Sequence, residues 1–116
     1  MTIRTLKDRK CLVTGAASGI GKAVAVAAAA EGAELFLTDI NADALREVAD
    51  GIRANGGRVR AAHAFDISSL DAVRAFADEI HRDAGPLDVL MNIAGIAIWG
   101  AVEDLEHRHW QRSIEI

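Results

Sequence analysis

Tyrosine is absent from the 116 residues, and aromatic side chains make up only 4% of them. Cysteine occurs once, as Cys11 inside an apolar run, so neither a disulfide framework nor a Cys-x-x-Cys redox site is possible. A lone thiol in such a run reads as a buried strand residue, and the scarcity of cysteine fits a reducing cytoplasm. No stretch reaches the ~18 apolar residues that a membrane span needs. The alanine-rich run at residues 24–30 is too short. Met1 to Arg9 is polar and charged, unlike a secretory signal. No basic block stands out among 13 basic and 17 acidic residues, and the net charge of −4 gives nucleic acid no electrostatic footprint. No linker, repeat or low-complexity segment interrupts the chain, so residues 1–116 are expected to belong to one domain.

What is present is a simple alternation. The hydrophobic fraction is 51%, much of it alanine, which suits helices packed closely on something flat. Residues 10–14 (KCLVT) form a short apolar run that predicts a strand buried on both faces. Residues 19–32 predict a helix with Ile20, Val24 and Ala27 or Ala28 on its apolar stripe and Gly32 at its end. A second strand is predicted at 34–38, ending at Asp39. Asn41 is placed to cap a helix that runs to about Ala54, with Leu45, Val48 and Ile52 at helical spacing. A third strand is predicted at 59–65, ending at Asp66. Ser68 is placed to cap the next helix, whose stripe reads Leu70, Val73, Ala77 and Ile80, and Gly85-Pro86 closes it. A fourth strand is predicted at 87–93, and a last helix is expected from near Glu103 through Ile116. Apolar strands alternating with amphipathic helices predict an α/β fold, a parallel sheet covered on both faces. Right-handed crossovers then predict a doubly wound (Rossmann) sheet, its first four βα units in the order 3-2-1-4 and incomplete at the C-terminus.

The strongest chemical signal is Thr14-Gly15-Ala16-Ala17-Ser18-Gly19-Ile20-Gly21. It follows the first strand and opens the first helix. Glycines there let the backbone turn tightly and approach a pyrophosphate, while the helix start offers free N–H groups and positive dipole charge. A plain glycine turn between strand and helix is the competing reading. The spacing Gly-x-x-x-Gly-x-Gly differs from the general dinucleotide pattern, and the Walker pattern is not met because Gly21-Lys22 is followed by Ala23. Lys22 therefore reads as a solvated helix residue. Among the histidines, His107 and His109 lie two apart on a predicted helix and point to different sides; with His63 and His81 they offer no metal-ligand spacing. No metal is expected.

Thr-Gly-x-x-x-Gly-Ile-Gly after a first strand resembles the fingerprint of the short-chain dehydrogenase/reductase family, and the resemblance runs across nearly the whole chain. Asp39 lies 18 residues beyond Gly21, where an acid can accept hydrogen bonds from the adenosine ribose and repel a 2′-phosphate. A strand-end or helix-cap role is its alternative. NADP-preferring relatives often carry a basic residue just before the middle glycine, where this chain has Ser18. Both features point to NAD rather than NADP. The resemblance implies that Gly15, Ser18, Gly19, Ile20 and Gly21 surround the cofactor phosphates. It gives Asp66 the adenine amino group and Ile67 the adenine slot, with capping as the alternative for Asp66. The family's fourth-strand signature, Asn-Asn-Ala-Gly, stands here as Asn92-Ile93-Ala94-Gly95. Ala94 and Gly95 would let the cofactor ribose pass, and Asn92 would steady the sheet; Ile93 stands where the family has its second Asn. Trp99, past the fourth strand, is a candidate to face substrate or to pack under its loop.

The same resemblance implies hydride transfer between nicotinamide and an alcohol or ketone carbon, with a homo-oligomer as the expected assembly. Its acid/base is a tyrosine assisted by a lysine four residues on, with a serine and an asparagine. A phenol near pKa 10 needs such a cation to act at physiological pH. With no tyrosine in the chain, that motif is absent, and Ser113, in the last helix, is not the family's serine. No catalytic residue is therefore expected within the 116 residues, which would bind cofactor without turnover. A standalone nucleotide-binding half-fold and an inactive fragment are the alternatives; the glycine spacing argues against a methyltransferase or a flavin protein. An open edge at Val89, Leu90 and Met91 predicts marginal stability or self-association.

Overall fold

The computed structural model describes residues 5–116. Residues 1–4 of the expected 1–116 unit, and with them part of the polar start, lie outside the described residues. The elements are β1 (Lys10–Thr14), α1 (Gly19–Ala30), β2 (Glu34–Asp39), α2 (Ala42–Ala54), β3 (Arg58–Ala64), α3 (Leu70–Ala84), β4 (Val89–Met91), a 3₁₀ turn (Val102–Asp104) and α4 (His107–Glu115). The four strands are parallel and ordered β3-β2-β1-β4, the order predicted. The architecture is the doubly wound, Rossmann-like one.

Alternating side chains sort the core into two layers. Leu35 and Leu37 of β2, with Cys11 and Val13 of β1, face α1 and α2 and pack on Ala25, Ala28, Leu45, Val48 and Ile52. Phe36 points the other way and meets Phe76 and Ile80 of α3. Cys11 is fully buried, as its apolar surroundings predict, and burial pushes its thiol pKa up. Asn41 caps α2 by accepting the Ala44 N–H at 3.0 Å. No helix among the described residues is long and apolar enough to cross a membrane.

Several expectations shift. The buried stripe of α1 is Gly21, Ala25 and Ala28; Ala28 is buried and Val24 packs against the core as expected, but Ile20 is 73% exposed. The helix lies too close to the sheet end for a large side chain. It ends at Ala30, and Gly32, at φ +86°, turns the chain toward β2. On α3 the buried residues are Phe76 and Ile80, while Leu70 and Val73 are exposed. Phe76 pulls the helix toward β3, stacking edge-on against Phe65 at 5.6 Å. Ser69, not Ser68, caps α3, accepting from Ala72 N–H at 3.3 Å. Ser68 is diverted because its own N–H donates to Asp66 at 2.9 Å, a local turn that delays the helix by one residue.

β3 is set one residue earlier than expected, and β4 is shortened to three residues. Thr14 accounts for the early carboxyl end of β4. Its Oγ1 accepts from the N–H groups of Ile93 and Ala94 at 3.0 and 3.1 Å, taking the chain out of strand pairing. Past β4 the helix expected near Glu103 is broken into a 3₁₀ turn and α4. Glu106 starts α4 with a reciprocal cap, its N–H donating to Nδ1 of His109 at 3.1 Å.

Candidate functional site

A cleft of about 420 Å³ opens at the carboxyl ends of the strands. That is where open parallel sheets bind ligands, and the volume lies in the usual small-molecule range. Its wall on the β1 side is the glycine turn. Gly15 sits at φ +67°, and a Cβ there would stand 2.8 Å from the Cα of Ala94, so only glycine fits. Gly21 is tighter still: its Cβ would fall 1.8 Å from the Gly15 carbonyl oxygen. Gly19, at φ +53°, meets nothing within 4 Å, leaving backbone open to the cleft.

The turn is held by the end of β2. Ala16 N–H donates to the Thr38 carbonyl at 3.1 Å, and Ala17 N–H to Asp39 Oδ2 at 2.9 Å. Asp39 Oδ1 accepts from Asn41 N–H at 3.0 Å. A carboxylate offers about four acceptor positions, so each oxygen of Asp39 keeps one for a ligand. The first turn of α1 presents amide groups with no intrahelical acceptor, and the Ser18 side chain does not cap them.

At the end of β3, Asp66 is held by three donors. Its Oδ1 accepts from Ser68 N–H at 2.9 Å and from the Ser68 hydroxyl at 2.8 Å. Its Oδ2 accepts from Arg112 Nη2 at 2.8 Å. The Ser68 N–H, the Arg112 guanidinium and the Ser68 hydroxyl together hold the Asp66 carboxyl down to about 2. It is an obligate acceptor at any physiological pH.

The cleft thus brings together Gly15, Ser18, Gly19, Ile20, Gly21, Asp39, Asp66, Ile67, Ala94 and Gly95. Asn92 is the exception. Successive residues of an extended chain point to opposite sides, so Ile93 enters the cleft and Asn92 lines a separate apolar cavity of about 400 Å³ beside α3. Thr38 lines that second cavity too, with its buried Oγ1 unpartnered. Trp99 is 89% exposed and stands outside the cleft lining. Six further residues line the cleft that the sequence does not single out as cofactor contacts: Ile40 and Phe65, which follow and precede the two acids, Ile93, Ile96, Ile116 and Arg112. The first two could have been found as strand-end neighbours of Asp39 and Asp66. Arg112 carries no local signal, because its partner is 46 residues away. Among the described residues no group of three His, Cys, Asp or Glu side chains is placed to hold a metal.

A parallel sheet with a glycine turn, a bare helix start and two strand-end acids around one cleft defines a dinucleotide-type fold. The short-chain dehydrogenase family model matches residues 9–116, and the chain belongs to that family. D-threitol dehydrogenase of Mycolicibacterium smegmatis is 39% identical over 114 residues, covering 96% of this chain and 42% of its own. Among solved structures, a metagenomic short-chain oxidoreductase in complex with NADP superposes with a TM-score of 0.88 at 36% identity, over 95% of this chain and 50% of that one. A short-chain dehydrogenase/reductase from Burkholderia phymatum in complex with NAD gives 0.90 at 29% identity, over 97% and 40%. The chain spans half or less of the length of these relatives.

Proposed function

We propose that residues 1–116 are the N-terminal, cofactor-binding portion of a single Rossmann domain in an NAD-dependent oxidoreductase. The observation that carries the reading is the Asp39 carboxylate, tied to Ala17 and Asn41 yet keeping one acceptor position on each oxygen. Two vicinal ribose hydroxyls match two such positions. A 2′-phosphate would meet this negative charge instead. The one cation among the described residues lining the cleft, Arg112, is already engaged by Asp66. NAD is therefore preferred over NADP.

The glycine turn and the bare start of α1 receive the pyrophosphate. Asp66 accepts from the adenine amino group, with Ile67 beside the ring. Ala94 presents only a methyl group and Gly95 bare backbone where the second ribose passes. Asn92, on the other side of the chain, steadies the sheet end. A bound nicotinamide cofactor would supply hydride chemistry at an alcohol or ketone carbon. The acid/base tyrosine of the family is not among these residues, because the chain has none. Alone, they bind and orient cofactor and do not turn over. We place the protein in the cytoplasm and expect a homo-oligomer.

Calorimetric titration with NAD and NADP tests the reading. NAD binding tighter than NADP, with no NAD reduction on adding alcohols, is the expected result. Equal affinity for the two, or measurable turnover, would overturn it.

A further inference from the structure

Asp66, Ser68 and Arg112 form a closed ring of hydrogen bonds at the lip of the cleft. Ser68 Oγ donates to Asp66 Oδ1 at 2.8 Å and accepts from Arg112 Nη1 at 3.2 Å. Arg112 Nη2 completes the ring on Asp66 Oδ2 at 2.8 Å. Arg112 comes from α4, and among the described residues it carries the side-chain hydrogen bonds from α4 to the sheet half of the fold. Both charged side chains are about one-third exposed, so solvent does not fully screen the pair.

The count of acceptor positions is informative. Three of about four on the Asp66 carboxylate are filled. Ser68 takes both positions on Oδ1, and Arg112 takes one on Oδ2. The vacant position is on the oxygen that Arg112 grips. The torsion that turns a carboxylate about its own axis is soft. Ser68 anchors one oxygen and leaves that rotation restrained at one end. The guanidinium, planar and bonded to two members of the ring, fixes the other end.

We infer that Arg112 is a positioning residue for base recognition: by fixing the plane of the Asp66 carboxylate it sets the direction of the one free acceptor position, and so tunes the choice of a 6-amino over a 6-oxo purine. This rests on the adenine reading of Asp66 proposed above. A 6-amino purine donates an N–H to that position. A 6-oxo purine presents a carbonyl oxygen there, and two acceptors facing each other repel. A lysine at 112 keeps the charge and loses the two-armed grip, so charge and geometry can be separated.

The test is calorimetric titration of the chain and its variants with ADP and with inosine diphosphate, with circular dichroism melts confirming that each variant is folded. The wild type is expected to prefer ADP roughly tenfold or more, the scale of one hydrogen bond to a charged acceptor. Asp66→Asn, which can also donate, should collapse that preference. Arg112→Met should lower it severalfold by weakening ADP and leaving inosine diphosphate unchanged, and Arg112→Lys should recover only part. If Arg112→Met weakens both nucleotides equally, or neither, while Asp66→Asn collapses the preference, the role of Arg112 is refuted and the adenine reading stands. If Asp66→Asn leaves the preference intact, or the wild type binds neither nucleotide, the adenine reading falls and takes this inference with it.

Discussion

Adding one methyl group at Gly21 and one at Gly51 should move stability in opposite directions. Both glycines lie inside helices, where alanine is intrinsically favoured by about 1 kcal/mol. At Gly51 in α2 the new Cβ meets nothing within 4 Å, so Gly51→Ala should stabilise by about 0.5–1 kcal/mol. At Gly21 the Cβ would stand 1.8 Å from the Gly15 carbonyl oxygen and 2.5 Å from its carbon, where real Cβ atoms keep 3.0 Å. The two segments must part by more than 1 Å, and both opposing atoms are backbone. Gly15 cannot simply retreat, because its other side abuts Ala94 at the exit of β4. Overpacking of this kind costs about 1–3 kcal/mol. With rigid partners the upper end applies, and after the helix gain a net loss of about 2 kcal/mol remains. For a chain of this length 1 kcal/mol is roughly 4 °C in Tm. Thermal and urea denaturation followed by circular dichroism should therefore show Gly21→Ala melting about 8 °C below the wild type, and Gly51→Ala melting a few degrees above it. A Gly21→Ala variant as stable as the wild type would refute the claim that α1 is pressed against the glycine turn.

Replacing a threonine by valine should likewise have opposite effects at two sites. Thr14→Val strips the acceptor from the Ile93 and Ala94 N–H groups and should cost about 2 kcal/mol; Thr38→Val removes a buried hydroxyl with no partner and should be neutral or stabilising by about 1 kcal/mol. Equal urea midpoints for the two variants would contradict this. Asp66 gives a pH signature: its pKa is about 2 in the fold against an ordinary 3.8, so its stabilising bonds are complete above about pH 4 and are lost as pH falls toward 2. Asp66→Asn should flatten that part of the stability profile, and parallel acid profiles for variant and wild type would exclude the role. Asp39→Ala combined with Ile40→Arg should turn nucleotide preference toward NADP, since it removes the ribose acceptor and puts a cation at the cleft lip; unchanged selectivity in binding titrations would rule out Asp39 as the selector.

The element order and the sheet topology were legible because each rests on a local signal. A short run of consecutive apolar residues such as Leu35 to Leu37, bounded by Gly32 before it and Asp39 after it, reads as a strand covered on both faces, and all three are buried. Leu45, Val48 and Ile52 repeat at helical spacing, and all three are buried as predicted. The glycine turn was legible for a similar reason. Its residues are contiguous, and they meet the two strand-end acids because parallel strands all end on the same side. Spacing alone does not settle every position on the other two helices, although Ala28 and Ile80 are buried as it predicts. Ile20 was placed on a buried stripe and Leu70 and Val73 on another, yet burial is decided by what lies opposite. Opposite α1 lies the backbone of Gly15, which admits only Gly21. Opposite α3 lie Phe36 and Phe65, which draw in Phe76.

The order of elements, the parallel sheet and the identity of most cleft residues follow from the sequence by itself, since each depends on neighbours along the chain. Only the tertiary structure decides that Asn92 turns away from the cleft while Ile93 enters it, that Thr14 ends β4 by capturing two N–H groups, and that Arg112 reaches Asp66. Those contacts join residues 46 to 80 positions apart. No local pattern encodes such distances; they exist only once the strands have aligned and brought their carboxyl ends to one place.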